Sequence, residues 1–178
     1  MVSPAEQSPQ SARGHFELFR LAPHFDLDTD LLGQRFRTLQ KEFHPDRYAG
    51  RPASEQRVAA QLSADINAAF DTLKDPVHRA GYLLERSGQD LSALERTPMA
   101  GEFLMQQMQL RERLEETDAG EQDVIAALHR EITGLLDGQF EQFREAFADN
   151  DVDTAGTAWV RLLYLEKLRL ELDRKRAA

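Results

Sequence analysis

The tetrapeptide His44-Pro45-Asp46-Arg47 separates two long stretches that share the period of an amphipathic helix, and it dictates where the chain must turn. Upstream, Leu32, Phe36, Leu39 and Phe43 recur at helical spacing, which puts them on one stripe of a helix running from about residue 29 to 43. Downstream, Val58, Leu62, Ile66, Ala69, Phe70 and Leu73 form a second stripe. Pro45 has no backbone N–H and pushes His44 out of the α region, so the first helix stops near the motif. Gly50 and Pro52 occupy the loop that follows, and the second helix ends at Lys74-Asp75-Pro76. The predicted product is a helical hairpin whose tip presents one imidazole and one carboxylate.

The charge around this tip departs from that of the whole chain. The 178 residues carry a formal net charge of −9, which disfavours nonspecific nucleic-acid binding. Between Leu31 and Arg51, however, five cations (Arg35, Arg37, Lys41, Arg47, Arg51) face two acids (Glu42, Asp46), a local +3 that leaves −12 for the remainder. A basic hairpin on an acidic protein suits an acidic docking partner through an attraction that salt screens.

The rest of the chain also reads as helix. No sustained period-two alternation occurs and β-branched residues are few, so the fold class is all-α. Residues 1–13 are expected to be a disordered leader, and a short helix is expected over 15–21, before Pro23. Asp28 and Ser54 are the expected N-caps of the hairpin helices. A shorter helix restarts at Asp75-Pro76 and runs to about Arg86, closed by Gly88. Residues 88–97 are the expected linker between a hairpin domain at 14–87 and an antiparallel three-helix bundle at 98–178. Thr97-Pro98 is the expected start of the bundle's first helix, with helices near 98–116, 121–148 and 152–175 separated by short polar turns. Val124, Ile125, Leu128, Ile132, Leu135, Leu136, Phe140, Phe143 and Phe147 make the middle helix its spine.

The helix after Pro98 carries more apolar surface than one packing stripe needs. Phe103, Leu110 and Leu114 point one way and form a core stripe, whereas Leu104, Met105 and Met108 point well away from it. This second cluster is either buried against the hairpin domain or exposed for a partner, and methionine suits an adaptable protein-binding surface.

Several chemistries have no residues to support them. With zero cysteines there is no disulfide, no thiol nucleophile and no thiolate metal ligand. His15, His24, His78 and His129 are scattered, no helical His pair is spaced for a metal, and no Gly-rich loop could cradle a phosphate. His44 and Asp46 could be taken for a general base and its orienting carboxylate, but no nucleophile motif accompanies them. The reading is therefore non-catalytic, with no catalytic residues, no metal and no cofactor. No apolar run reaches the length of a membrane span and the N-terminus lacks a signal-peptide core, so no membrane association and a cytoplasmic location are expected.

The hairpin with its His-Pro-Asp tip resembles the J domain, the module by which co-chaperones engage heat-shock ATPases of the DnaK class. That resemblance implies that His44, Pro45 and Asp46, with Arg35, Arg37 and Lys41 on the preceding helix, contact and stimulate the chaperone. The residue after the aspartate is usually Lys in that family, and Arg47 keeps its charge. Asp75-Pro76 through Arg79-Ala80-Gly81-Tyr82-Leu83-Leu84, and Phe103-Leu104-Met105 leading to Leu110-Arg111-Glu112, narrow the likeness to the HscB co-chaperones of iron–sulfur cluster assembly over residues 15–172. The narrower resemblance implies two partners, an HscA/DnaK-class chaperone and an IscU-type cluster scaffold, and a scaffold-binding patch at Leu104, Met105, Met108 and Tyr164. Met108 and Tyr164 depart from the Leu and Phe common at those positions while keeping apolar area. The competing expectations are a general J-domain co-chaperone for unfolded clients, against which the missing Gly/Phe-rich linker and zinc-binding cysteines argue, a purely structural helical adaptor, and a small hydrolase using His44 and Asp46.

Overall fold

A computed structural model of the protein describes residues 14–177, and the expected leader lies outside them. Eight α-helices follow one another among the described residues: α1 (His15–Leu18), α2 (Thr29–Glu42), α3 (Ala53–Lys74), α4 (Pro76–Arg86), α5 (Leu91–Arg96), α6 (Gly101–Glu116), α7 (Gln122–Ala148) and α8 (Val152–Ala177). A 3-10 turn at Pro45–Tyr48 joins α2 to α3. The fold is all-α, with an N-terminal J domain and a C-terminal helical bundle.

The chain divides into two compact units, one ending at Arg79 and the other running from Ala80. In the first, α2 and α3 form the hairpin. Phe36 stacks on Phe70 with ring centroids 3.9 Å apart, and Gln40 Nε2 donates to Asn67 Oδ1 at 3.0 Å. Leu32, Ile66, Ala69 and Leu73 are buried together with Phe16 and Phe19 from the α1 region. Asp28 caps α2 as expected, its carboxylate accepting the Leu31 N–H at 2.9 Å. Helix α1 is shorter than the periodicity suggests because Arg20 adopts a left-handed φ of 54° and turns the chain. Ser54 is not the cap of α3: Pro52, with φ fixed at −52°, stands at the N-cap and Ala53 opens the helix.

The Asp75-Pro76 restart has a direct cause. The Asp75 carboxylate accepts the N–H groups of Val77 and His78, both at 2.9 Å, and so satisfies two orphan donors of α4. Arg79 is buried, donates to the Leu73 carbonyl at 2.6 Å and lies 5.3 Å from the centre of the Phe25 ring. Burial pushes its guanidinium below the usual range, and the charges of Asp75 and Asp26 oppose that shift.

In the second unit, α7 and α8 make the most extensive helix pair. Ile125, Leu128, Ile132, Leu136 and Phe143 on α7 are buried, as are Leu162, Leu165, Leu168 and Leu172 on α8. Val124, expected in the spine, is instead 42% exposed at the start of α7. Gly81 is required by close approach, since a Cβ there would stand 3.0 Å from the buried Trp159 indole nitrogen. Gly88, with φ of 87°, closes α4 while the Gln89 N–H returns to the Leu84 carbonyl at 3.0 Å.

Residues 88–97 do not form an open linker. They contain α5, whose Leu94 packs so closely on Gly156 that a Cβ there would meet its side chain at 3.0 Å. Thr97 ends α5 rather than capping α6: its hydroxyl donates back to the Ala93 carbonyl at 3.0 Å, and Ala100 stands at the N-cap of α6. Helix α6 accordingly starts at Gly101 rather than 98.

Candidate functional site

The hairpin tip is built by backbone constraint. Pro45 holds His44 extended, with φ of −62° and ψ of 131°, and the 3-10 turn begins at once. His44 Nδ1 accepts the Asp46 N–H at 3.3 Å and lies 3.5 Å from the Asp46 carboxylate. The two side chains are 58% and 90% exposed, a geometry suited to recognition rather than to a sheltered proton transfer.

The surrounding cations divide into two roles. Arg47 Nη1 donates to the Lys41 carbonyl at 3.1 Å, which ties the turn to the end of α2, while Arg37 and Lys41 project from α2 into solvent. Arg35 is half-buried, and its Nη1 donates to the carbonyls of Phe19 at 2.6 Å and Arg20 at 2.5 Å. It braces the left-handed turn after α1, a role that helical periodicity on α2 gave no means of seeing. Arg51 pairs with Glu55 at 3.8 Å on the first turn of α3.

The second apolar cluster is on the surface. Leu104, Met105 and Met108 are 42%, 64% and 70% exposed, and Tyr164 on α8 is 40% exposed. Tyr164 contacts α6 through Phe103, whose buried ring meets the tyrosine edge-on at a centroid distance of 6.3 Å. Lys167 Nζ stands 5.7 Å from the centre of the Tyr164 ring. All four residues singled out by sequence are thus exposed, three on α6 and one on α8. Among the described residues no group of His, Cys, Asp or Glu side chains has metal-binding geometry, and no helix is long and apolar enough to cross a membrane.

A hairpin with an exposed His-Pro-Asp tip, on a chain that also carries an unpartnered apolar face on a helical bundle, defines a J-domain co-chaperone. Residues 99–173 match the family described as the HSCB C-terminal oligomerisation domain. The chain is 44% identical over 160 residues to the co-chaperone protein HscB homolog of Neisseria meningitidis serogroup A, covering 89% of this chain and 96% of that protein. Its structure is similar to the chaperone HscB from Vibrio cholerae at 36% identity and a TM-score of 0.82, covering 90% and 96% of the two chains. It also shares the fold of the human co-chaperone protein HscB at 24% identity and a TM-score of 0.89, covering 96% and 85%. The chain belongs to the HscB co-chaperone family. With that membership goes the co-chaperone role in iron–sulfur cluster assembly, alongside an Hsp70-type chaperone, that its motifs imply.

Proposed function

We propose that the protein acts in the cytoplasm as a two-ended adaptor: the hairpin stimulates the ATPase of an HscA/DnaK-class chaperone, and the bundle brings an IscU-type scaffold to that chaperone. The observation that carries the first half is the fixed, exposed His44-Pro45-Asp46 tip, flanked by Arg37, Lys41 and Arg47. Chaperone contact falls on these residues, with Arg35 supporting the hairpin from behind. The exposed surface of Leu104, Met105, Met108 and Tyr164 supports the second half. The protein does no chemistry of its own in this reading. It delivers and orients, and the hydrolysis belongs to its partner.

His44→Gln tests the first half in a single-turnover ATPase assay with an HscA-class chaperone. Stimulation should vanish while the thermal melt stays within about 0.5 kcal/mol of wild type, as for other exposed loop substitutions. Normal stimulation by a folded His44→Gln protein would refute the reading.

A further inference from the structure

Sulfur in this chain is confined to methionine, since there are no cysteines and only four methionines. Met1 lies outside the described residues. Met99, Met105 and Met108 all fall in one short stretch at the start of the bundle, and the hairpin between Thr29 and Lys74 holds no sulfur at all. The surroundings of the three differ. Met105 and Met108 are 64% and 70% exposed, the two highest values among the exposed large apolar side chains, with Val58 next at 59%. Met99 is half-buried and lines a cavity of about 80 Å³ together with Leu94, Gly156 and Val160. Met105 and Met108 stand three residues apart on α6, so their thioethers project from adjacent positions on one side of the helix.

A thioether sulfur takes an oxygen atom from a peroxide: the S–O bond forms as the O–O bond breaks, the sulfur loses two electrons, and water leaves as the reduced product. The reaction needs access to the sulfur and no neighbouring catalyst, so exposure decides which methionine reacts first. The product is a polar, chiral sulfoxide in place of a flexible apolar side chain. On an exposed helix face this does little to the fold, because the new oxygen stays in water. In an apolar interface the same oxygen must shed its water, and with no donor opposite it that loss opposes association.

We propose that Met105 and Met108 are an oxidant-sensitive modification site, and that their conversion to sulfoxide by hydrogen peroxide or a related two-electron oxidant weakens docking of the scaffold on the bundle. The inference concerns regulation of the patch and so rests on the scaffold-delivery reading above. Reversal takes two electrons and two protons from a thiol reductant, which removes the oxygen as water and restores the thioether. The sulfur-free hairpin is untouched by this chemistry, so oxidation disconnects one end of the adaptor and spares the other.

The test treats the full-length protein with hydrogen peroxide and then removes the peroxide with catalase, so that the scaffold never meets it. Peptide mass spectrometry should find sulfoxide at Met105 and Met108 before Met99. Calorimetric titration with the apo scaffold of the same organism should then show an affinity at least about tenfold lower, while the circular-dichroism melt and the stimulation of chaperone ATPase stay level. Methionine sulfoxide reductases of both epimer specificities should restore the affinity. Met99→Leu should respond to peroxide as the wild type does. Met105→Leu with Met108→Leu, whatever its starting affinity, should bind equally before and after treatment. Unchanged affinity in wild-type protein oxidised at both positions overturns the proposal, as does an equal loss in the leucine pair or oxidation of Met99 ahead of the other two. Should the leucine pair bind too weakly to measure, the other arms decide: a Met99→Leu protein that keeps its affinity after peroxide, or a loss that the reductases do not reverse, overturns the site. Failure of the untreated wild type to bind the scaffold sinks the delivery reading and this inference with it, whereas tight binding that peroxide leaves intact sinks this inference alone.

Discussion

Replacing Leu104, Met105, Met108 and Tyr164 together by Ala separates folding from docking, and the structure gives the size of each effect. The four side chains are between 40% and 70% exposed, so much of their area never leaves water on folding. Fully burying a large apolar side chain contributes about 1.5–3 kcal/mol, and the contacted fractions here add up to about 3–5 kcal/mol for all four, an upper value because alanine keeps its Cβ and the unfolded chain is itself partly collapsed. Alanine's higher helix propensity offsets part of this. Against a domain stability of about 5–15 kcal/mol the quadruple variant stays folded, with a lowered melting temperature. Four residues buried as Leu110 and Leu114 are would each cost about 2–5 kcal/mol and leave nothing folded. Binding behaves oppositely: anchors at the centre of an interface cost about 1–2 kcal/mol or more apiece, so losing four weakens scaffold affinity by a thousandfold or more. Circular-dichroism melts and calorimetric titration read the two effects on one sample. A folded variant that binds the scaffold with wild-type affinity refutes the docking argument, and a variant unfolded at 25 °C refutes the argument from exposure.

Two further outcomes follow from the hairpin. Arg37→Glu with Lys41→Glu should leave the melt unchanged but weaken chaperone docking severely, and raising salt on the wild type should weaken docking progressively, since both cations are exposed. Salt-independent docking, measured by titrating the chaperone at several ionic strengths, would contradict this. Arg35→Met should do the reverse: losing the donor to the Phe19 and Arg20 carbonyls costs about 1–2 kcal/mol in a denaturant melt, while docking of the folded fraction is retained. A stability equal to wild type would mean that the brace is dispensable.

What was legible in the sequence were features that repeat along it or that forbid a conformation. The helical hairpin follows from Leu32, Phe36, Leu39 and Phe43 meeting Pro45, because a proline constrains its predecessor whatever surrounds it. That Leu104, Met105 and Met108 lie off the core stripe follows from helical geometry, since one helix cannot bury both Phe103 and Met108 against the same neighbour; that they are exposed rather than packed elsewhere came only with the structure. What was not legible depended on partners distant in sequence. Arg35 and Arg37 sit two residues apart on one basic stretch, yet one reaches carbonyls fifteen and sixteen residues earlier and the other faces solvent. Thr97 before Pro98 had the form of a cap, but its hydroxyl went to the helix behind it, α5, whose Leu94 packs on Gly156 more than sixty residues away.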